Sequence, residues 1–249
     1  MYLLNMRPEQ LQDAVRRNVP ALVPAGVVEY HGPHLPIGTD FLIANAVCTE
    51  IEQRAECVVL PPFAYGPTLS WAAGATEGDM DFEPEAFFVY ARETLRRIVA
   101  MGFQRIYILQ HHQGPDGLQV LCLKRAATEV LRETTAVWGA GWGRRPYASN
   151  PHPDIFGRIQ VAYIDSFSQY PSPDAERVPI GHGGRGETQL IQAALPETVR
   201  MDALQSLATL PEWLQDSHQA SASEGKRWIE FCVQGWVQEL SRPHSKGIS

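Results

Sequence analysis

Lysine is scarce in this 249-residue chain: only Lys124, Lys226 and Lys246 are found among 21 basic residues, and the others are arginine. That bias reads as genomic base composition. Positive charge as a whole is also short, because 28 Asp and Glu leave a formal net charge of -7. Without a basic excess the chain cannot displace phosphate counterions, so general affinity for nucleic acid is excluded. No run approaches the roughly 18 apolar residues of a membrane span, which excludes a spanning helix. The opening MYLLNMRPEQ lacks the basic start and apolar core of a secretory signal, so a cytoplasmic protein is expected. Four cysteines (Cys48, Cys57, Cys122 and Cys232) show no CxxC spacing, and three lie in apolar periodic runs. They read as small buried hydrophobes, not as a disulfide scaffold. Internal repeats, low-complexity tracts and Gly/Ser linkers are absent as well.

What is there is an ordinary globular composition, 44% hydrophobic, 20% charged and 9% aromatic. The length suits one domain over 1–249 with a sizeable core. Apolar spacing predicts helices at 8–18, 41–55, 84–101, 118–132, 187–195 and 223–240, the last followed by a frayed polar tail. The nearly continuous apolar run 21–30 predicts a strand buried on both faces. Further strands are expected at 57–60, 104–110, 134–140 and 158–164. Residues 63–82 hold Gly, Pro and Trp71 without periodicity and read as a long functional loop. Strands alternating with helices predict an α/β fold whose largely parallel sheet is covered on both faces. In such folds the ligand crevice lies beyond the carboxyl ends of the strands.

The eight histidines are the unusual feature, because five fall in three short Gly-rich clusters. The first strand runs into EYHGPHLPIGTD, where Glu29 and His31, two apart, share a face of an extended chain. A carboxylate beside an imidazole can bind a divalent metal. Asp40 is either a further ligand or a plain helix N-cap. His34 is either a third ligand or hydrogen-bonded packing. The strand 104–110 delivers His111 and His112 to the same edge of the sheet. Strand alternation lets at most one of them reach a shared site, and the Gln113-Gly114 turn favours His112. The turn GHGGRGE then supplies His182 and Glu187. Arg185 between them reads as a clamp for a substrate carboxylate or phosphate, or as a surface arginine. Trp71 and Tyr65 are candidates to cover a ring-shaped substrate, with packing as the alternative. Three His/acid clusters at expected strand ends together point to a metal site.

The order and wording of these clusters resemble the creatininase (creatinine amidohydrolase) family. VPAGVVEYHGPHLPIGTDFLIANAV is similar to that family's opening V-P-x-G-x-x-E-x-H-G-x-H-L-P-x-x-T-D, QHHQGP to its N-x-H-G-G-N, and GHGGRGETQ to its G-H-A-G-x-x-E-T-S. The resemblance covers about residues 20–195. It implies a three-layer α/β/α sandwich that carries two divalent ions, Zn, Mn or Fe. By the same carry-over Glu29 and His112 bind one ion, His31 the other, and Asp40 bridges them. The family's second ion also has a Glu two residues after the middle-motif His. Gly114 stands there in this chain, and Glu187 is the candidate replacement. His182 matches the late-motif histidine that contacts substrate and assists proton transfer. The resemblance further implies a homo-oligomer, hexamers being common in the family.

Two cations held a few Å apart acidify a bridging water and polarise a carbonyl, so the implied reaction is attack of a metal-bridging hydroxide on a small, cyclic amide. Gly114, Val178 and Pro179 replace residues of creatininase itself, which points away from creatinine as the substrate. Formamide deformylation and ring-opening C–C hydrolysis of a cyclic diketone or inosose are the alternative reactions. Gln110 and Pro115 depart from the middle motif, which leaves a metal-depleted binding protein as the non-enzymatic alternative.

Overall fold

A computed structural model describes residues 1–146, 149, 151–152, 154–179 and 181–242. The frayed tail expected after 240 lies almost wholly outside them, as does His244. Helices and strands alternate as α1 (Pro8–Arg16), β1 (Ala21–Ala25), α2 (Thr39–Arg54), β2 (Val58–Val59), α3 (Pro84–Ala100) and β3 (Ile106–Gln110), then α4 (Leu118–Ala136), β4 (Ile159–Tyr163), α5 (Arg185–Ala194) and α6 (Ala222–Leu240). The four strands form one sheet in the order β2-β1-β3-β4, and every neighbouring pair is parallel.

Strand alternation sorts the sheet's side chains into two cores. Ala21, Val23, Ala25, Ile106 and Ile108 face α1, α3 and α4, where Phe87, Leu95 and Leu123 are buried. Leu22, Tyr107 and Leu109 face α2, α5 and α6, and pack among Ile43, Ile51, Leu190 and Trp236. This is the expected three-layer α/β/α sandwich, and it explains why β1 and β3 are apolar along their length. Burying one such side chain contributes roughly 1.5–3 kcal/mol. Cys122 lies in the first core, Cys48, Cys57 and Cys232 in the second, all as free thiols. No helix among the described residues is long and apolar enough to cross a membrane.

Two readings of the sequence need correction. The strand expected at 134–140 does not form. α4 runs on to Ala136, with the Thr134 hydroxyl donating to the Val130 carbonyl at 2.8 Å. No breaker precedes Gly139, so a helix already packed on the sheet continues past Arg132 despite the β-branched threonines. β1 is also shorter than 21–30 and stops at Ala25, leaving Glu29 and His31 on the loop beyond it.

The sheet's register decides where ligand-binding residues gather. Ala25, Gln110 and Tyr163 are mutually aligned at the carboxyl ends of β1, β3 and β4. Whatever follows these three residues is delivered to one edge.

α5 and α6 cross with backbone against backbone at Gly225. A Cβ on Gly225 would lie 1.8 Å from the Gln189 carbonyl oxygen. Ala exceeds Gly in helix propensity by about 1 kcal/mol. The backbone clash outweighs that gain, so Gly225→Ala is expected to destabilise by about 1–3 kcal/mol. Urea unfolding checks this; a midpoint equal to or above the wild type would show that the helices separate there without cost.

Candidate metal centre

Three carboxylates and three imidazoles converge at this edge. Glu29 and His31 come from the loop after β1, Asp40 from the first turn of α2, His112 from just beyond β3, His182 from the turn before α5, and Glu187 from the first turn of α5. Asp40 and Glu187 therefore sit at helix N-termini, where the macrodipole favours negative charge. Asp40 does not cap its helix, because the N-cap position belongs to Gly38. Its carboxylate turns inward, with Oδ2 2.8 Å from His112 Nδ1 and Oδ1 3.3 Å from His31 Nε2. Gly183 lies at φ 62°, and a Cβ there would be 2.6 Å from the His31 carbonyl oxygen. Only glycine lets the late turn close on the first loop.

Backbone carbonyls orient all three histidines. His31 Nδ1–H donates to the Glu29 carbonyl at 2.9 Å, His112 Nε2–H to that of Pro67 at 3.1 Å, and His182 Nε2–H to that of Tyr30 at 2.6 Å. Each ring thus aims its remaining nitrogen at carboxylate oxygens. His31 Nε2 is 3.5 Å from Glu187 Oε2, His112 Nδ1 is 3.4 Å from Glu29 Oε2, and His182 Nδ1 is 3.8 Å from the same oxygen. A carbonyl holding one ring N–H is the usual outer support of a metal-ligating histidine. Both Glu29 oxygens and His31 Nε2 are buried without a hydrogen-bond partner. Orphaned buried polar atoms are costly, and a cation that displaces the protons satisfies them.

Among the described residues the donor atoms fall into three sets of metal-binding compactness: Glu29–Asp40–His112, His31–Asp40–Glu187 and Glu29–His31–His182. The first two share Asp40. Electrostatics follow from this crowding. Burial first, then the Asp40 carboxylate, pushes Glu29 up to about 8. Burial pulls His31 down, but Asp40, Glu187 and Glu29 together outweigh it and hold the imidazole at about 10. Burial likewise opposes ionisation of Asp40, and His31 and His112 overcome it to keep the carboxyl well below its usual range. His182 goes the other way: burial and the stacked His31 ring, 4.1 Å between centroids, lower it to about 4.

The site opens into a cavity of about 760 Å³. Glu29, Asp40, His112, His182 and Glu187 form its polar floor, and Leu69, Trp71 and Leu121 its apolar wall. Trp71 sets its edge against His182 (4.9 Å between centroids) and Trp213 (5.8 Å). Tyr65 and Arg185 do not line the cavity. The Tyr65 ring stacks on Phe82, and the Arg185 guanidinium points to Glu176 at 4.0 Å. His34 is hydrogen-bonded packing, with Nε2 2.9 Å from the Thr188 hydroxyl.

Sequence reasoning missed three participants. His111 Nε2 reaches Glu187 Oε1 at 3.2 Å, so both adjacent histidines touch the site. Strand alternation does not apply to them, because β3 ends at Gln110 and Gln113 takes a left-handed φ of 53°. Tyr163 lines the cavity from the end of β4, and the strand-end rule could have found it. Trp213 comes from a short 3₁₀ turn for which the sequence carried no signal.

Comparison with known proteins covers nearly the whole chain. The family model Creatininase, described as creatinine amidohydrolase, matches residues 4–240. The mycofactocin precursor peptide peptidase of Mycolicibacterium smegmatis is 49% identical over 91% of this chain and 87% of its own. The creatinine amidohydrolase of Pseudomonas putida is 23% identical over 86% and 85%. A solved structure of creatinine amidohydrolase (creatininase) has a TM-score of 0.76 at 20% identity, covering 97% of this chain and 98% of its own.

Metal loading must displace protons, since Glu29 near 8 and His31 near 10 both hold them at pH 7 in the metal-free protein. Net proton release on Zn²⁺ or Mn²⁺ binding and an affinity that rises from pH 6 to pH 8 are the expected outcomes. Calorimetry in buffers of different ionisation enthalpy reads both. A heat independent of buffer would rule out this charge state.

Proposed function

The chain belongs to the creatininase family, and from that premise we propose that it is a dinuclear-metal hydrolase that cleaves the C–N bond of an amide in a peptide substrate. The hydrolase activity is common to the family; the two ions, the residue roles and the substrate are our reading. One observation carries it: two buried three-donor sets share Asp40 at the floor of a single cavity.

In this reading Glu29, Asp40 and His112 hold one divalent ion, and His31, Asp40 and Glu187 the other. Zn²⁺, Mn²⁺ and Fe²⁺ all suit such nitrogen and carboxylate donors. Ions bound there supply Lewis acidity toward the carbonyl oxygen and lower the pKa of a water to near neutrality. His182 is neutral at pH 7, and its bond to the Tyr30 carbonyl leaves Nδ1 as the free acceptor facing the floor. That nitrogen takes a proton from the attacking water and returns it to the leaving amine. His111 steadies Glu187 through Oε1, while the Gly183 N–H donates to Oε2 at 2.6 Å. Trp71 forms one side of the cavity beside His182.

A volume near 760 Å³ favours a peptide over a small cyclic amide. Cavities of about 300–1,000 Å³ take drug-sized ligands, and a single lactam ring would leave most of this one empty. The substrate in the name of the M. smegmatis relative is also a peptide. Cytoplasmic residence as a homo-oligomer belongs to the same proposal and suits four unpaired thiols.

Protein purified without chelators is expected to carry about two ions per chain by elemental analysis. Asp40→Ala should lose metal from both sets, and Glu187→Gln from one. The holoenzyme, offered peptides, lactams, formamides and cyclic ketones, should release an amine from peptides fastest. His182→Ala should keep its metal and lose about 10²–10⁴ in kcat. Full metal occupancy with no amide turned over would defeat the proposal. Turnover of cyclic ketones alone would replace it with C–C hydrolysis.

A further inference from the structure

The loop that carries Trp71 is held in an unusual conformation. Leu69 and Ser70 have φ of 69° and 46°, two consecutive left-handed residues that both carry a Cβ. Side chains with a Cβ adopt this geometry at a cost, so something must impose it. The bend is fixed from both ends. At its base the Pro67 carbonyl accepts from His112 Nε2 and the Thr68 carbonyl from Gln113 Nε2 at 3.2 Å. Over its crest lies the carboxylate of Asp81. Asp81 Oδ1 accepts the N–H groups of Thr68 (2.8 Å) and Leu69 (3.2 Å), and Oδ2 accepts the Ser70 hydroxyl at 3.4 Å. Asp81 is itself registered against Gly66 by a parallel bridge, with the Phe82 N–H donating to the Gly66 carbonyl.

The product of this clamp is an exposed apolar wall. Leu69 is 60% exposed, Trp71 52% and Leu121 48%, and all three line the cavity beside the polar floor. Large apolar groups held open at a cavity's rim are binding surface in search of a partner of the same character. Resting on the peptide-hydrolase reading above, we propose that Asp81 is a positioning residue. Its carboxylate holds residues 68–70 in the left-handed bend, so that Leu69 and Trp71 select a peptide with a bulky apolar side chain beside the scissile amide. A flat indole edge and a leucine suit an aliphatic or aromatic side chain, and they offer nothing to a charged one.

The test compares wild-type and Asp81→Ala holoenzyme on a cleaved synthetic peptide with Leu beside the scissile bond and on its Gly counterpart. Asp81→Ala should raise KM for the Leu peptide about tenfold or more, with kcat within about threefold and the Gly peptide unchanged. Asp81→Asn keeps a side-chain carbonyl acceptor for the two N–H groups and should restore most of the affinity. Trp71→Ala should abolish the Leu-over-Gly preference, and adding Asp81→Ala to it should change nothing further. Equal loss on both peptides, a fall in kcat or metal content instead of a rise in KM, or additive effects of the two substitutions would overturn the proposal. If the wild type cleaves no peptide, the peptide reading fails on its own. The clamp is then read from acrylamide quenching of the holo-protein. Asp81→Ala should increase quenching through Trp71, and the increment should vanish in the Trp71→Phe background; unchanged quenching would overturn the clamp itself.

Discussion

Three buried carboxylates that face one another at the floor of one cavity are the constraint on which this structure turns. Glu29, Asp40 and Glu187 are all buried, and no Lys or Arg among the described residues reaches them. Like charges at such range in a low dielectric cannot all stay ionised unaided. The chain answers with three histidines, each fixed by a backbone carbonyl so that its other nitrogen meets the acids. Asp40 keeps its charge against the protonated forms of His31 and His112 that it favours, and cations can take the place of those protons. The same crowding that pushes Glu29 up and Asp40 down is what makes the pocket a cation site.

The fold brings these groups together without exposing them. Parallel strands in matched register end side by side, so loops from β1 and β3 and the residue ending β4 open onto one edge. Two helices start there and point their N-termini inward. Gly183 permits the late turn to approach the His31 backbone, and the α5–α6 packing at Gly225 anchors the helix that carries Glu187. The cores on either face of the sheet give the elements their rigidity, which keeps side chains from separate segments within a few Å of one another.

Around this floor the chemistry changes character. In the long loop after β2 the stretch 67–70 is shaped by side chains: His112 and Gln113 hold its carbonyls and Asp81 its N–H groups. It links the ligand set to the cavity wall directly, because Pro67 orients His112 while Leu69 and Trp71, a few residues later, face the cavity. The base of the loop thus borders the floor while its Asp81-held crest shapes the wall, so a different crest can change what is bound while the floor is kept.

The sequence alone determined the layers and the cast of candidate site residues. Apolar alternation in β1 and β3, helical spacing in α2 to α6, and His/acid clusters at strand ends are local patterns, and local patterns survive in one dimension. The same patterns marked Glu29, His31, His112, His182 and Glu187 as candidates, and the family resemblance of their motifs added Asp40 and the roles it implies for them. Tertiary structure decided the rest, because the rest depends on distances between segments far apart in the chain. It turned Asp40 inward instead of leaving it a cap, released His111 and His112 from strand alternation, and moved Arg185 and Tyr65 away from the cavity. It ran α4 on to Ala136, into the expected strand at 134–140, because the helix met no breaker there despite a β-prone composition. Trp213 and Asp81 carried no signal at all: their roles arise only from which backbone atoms and rings they meet once the chain has closed on itself.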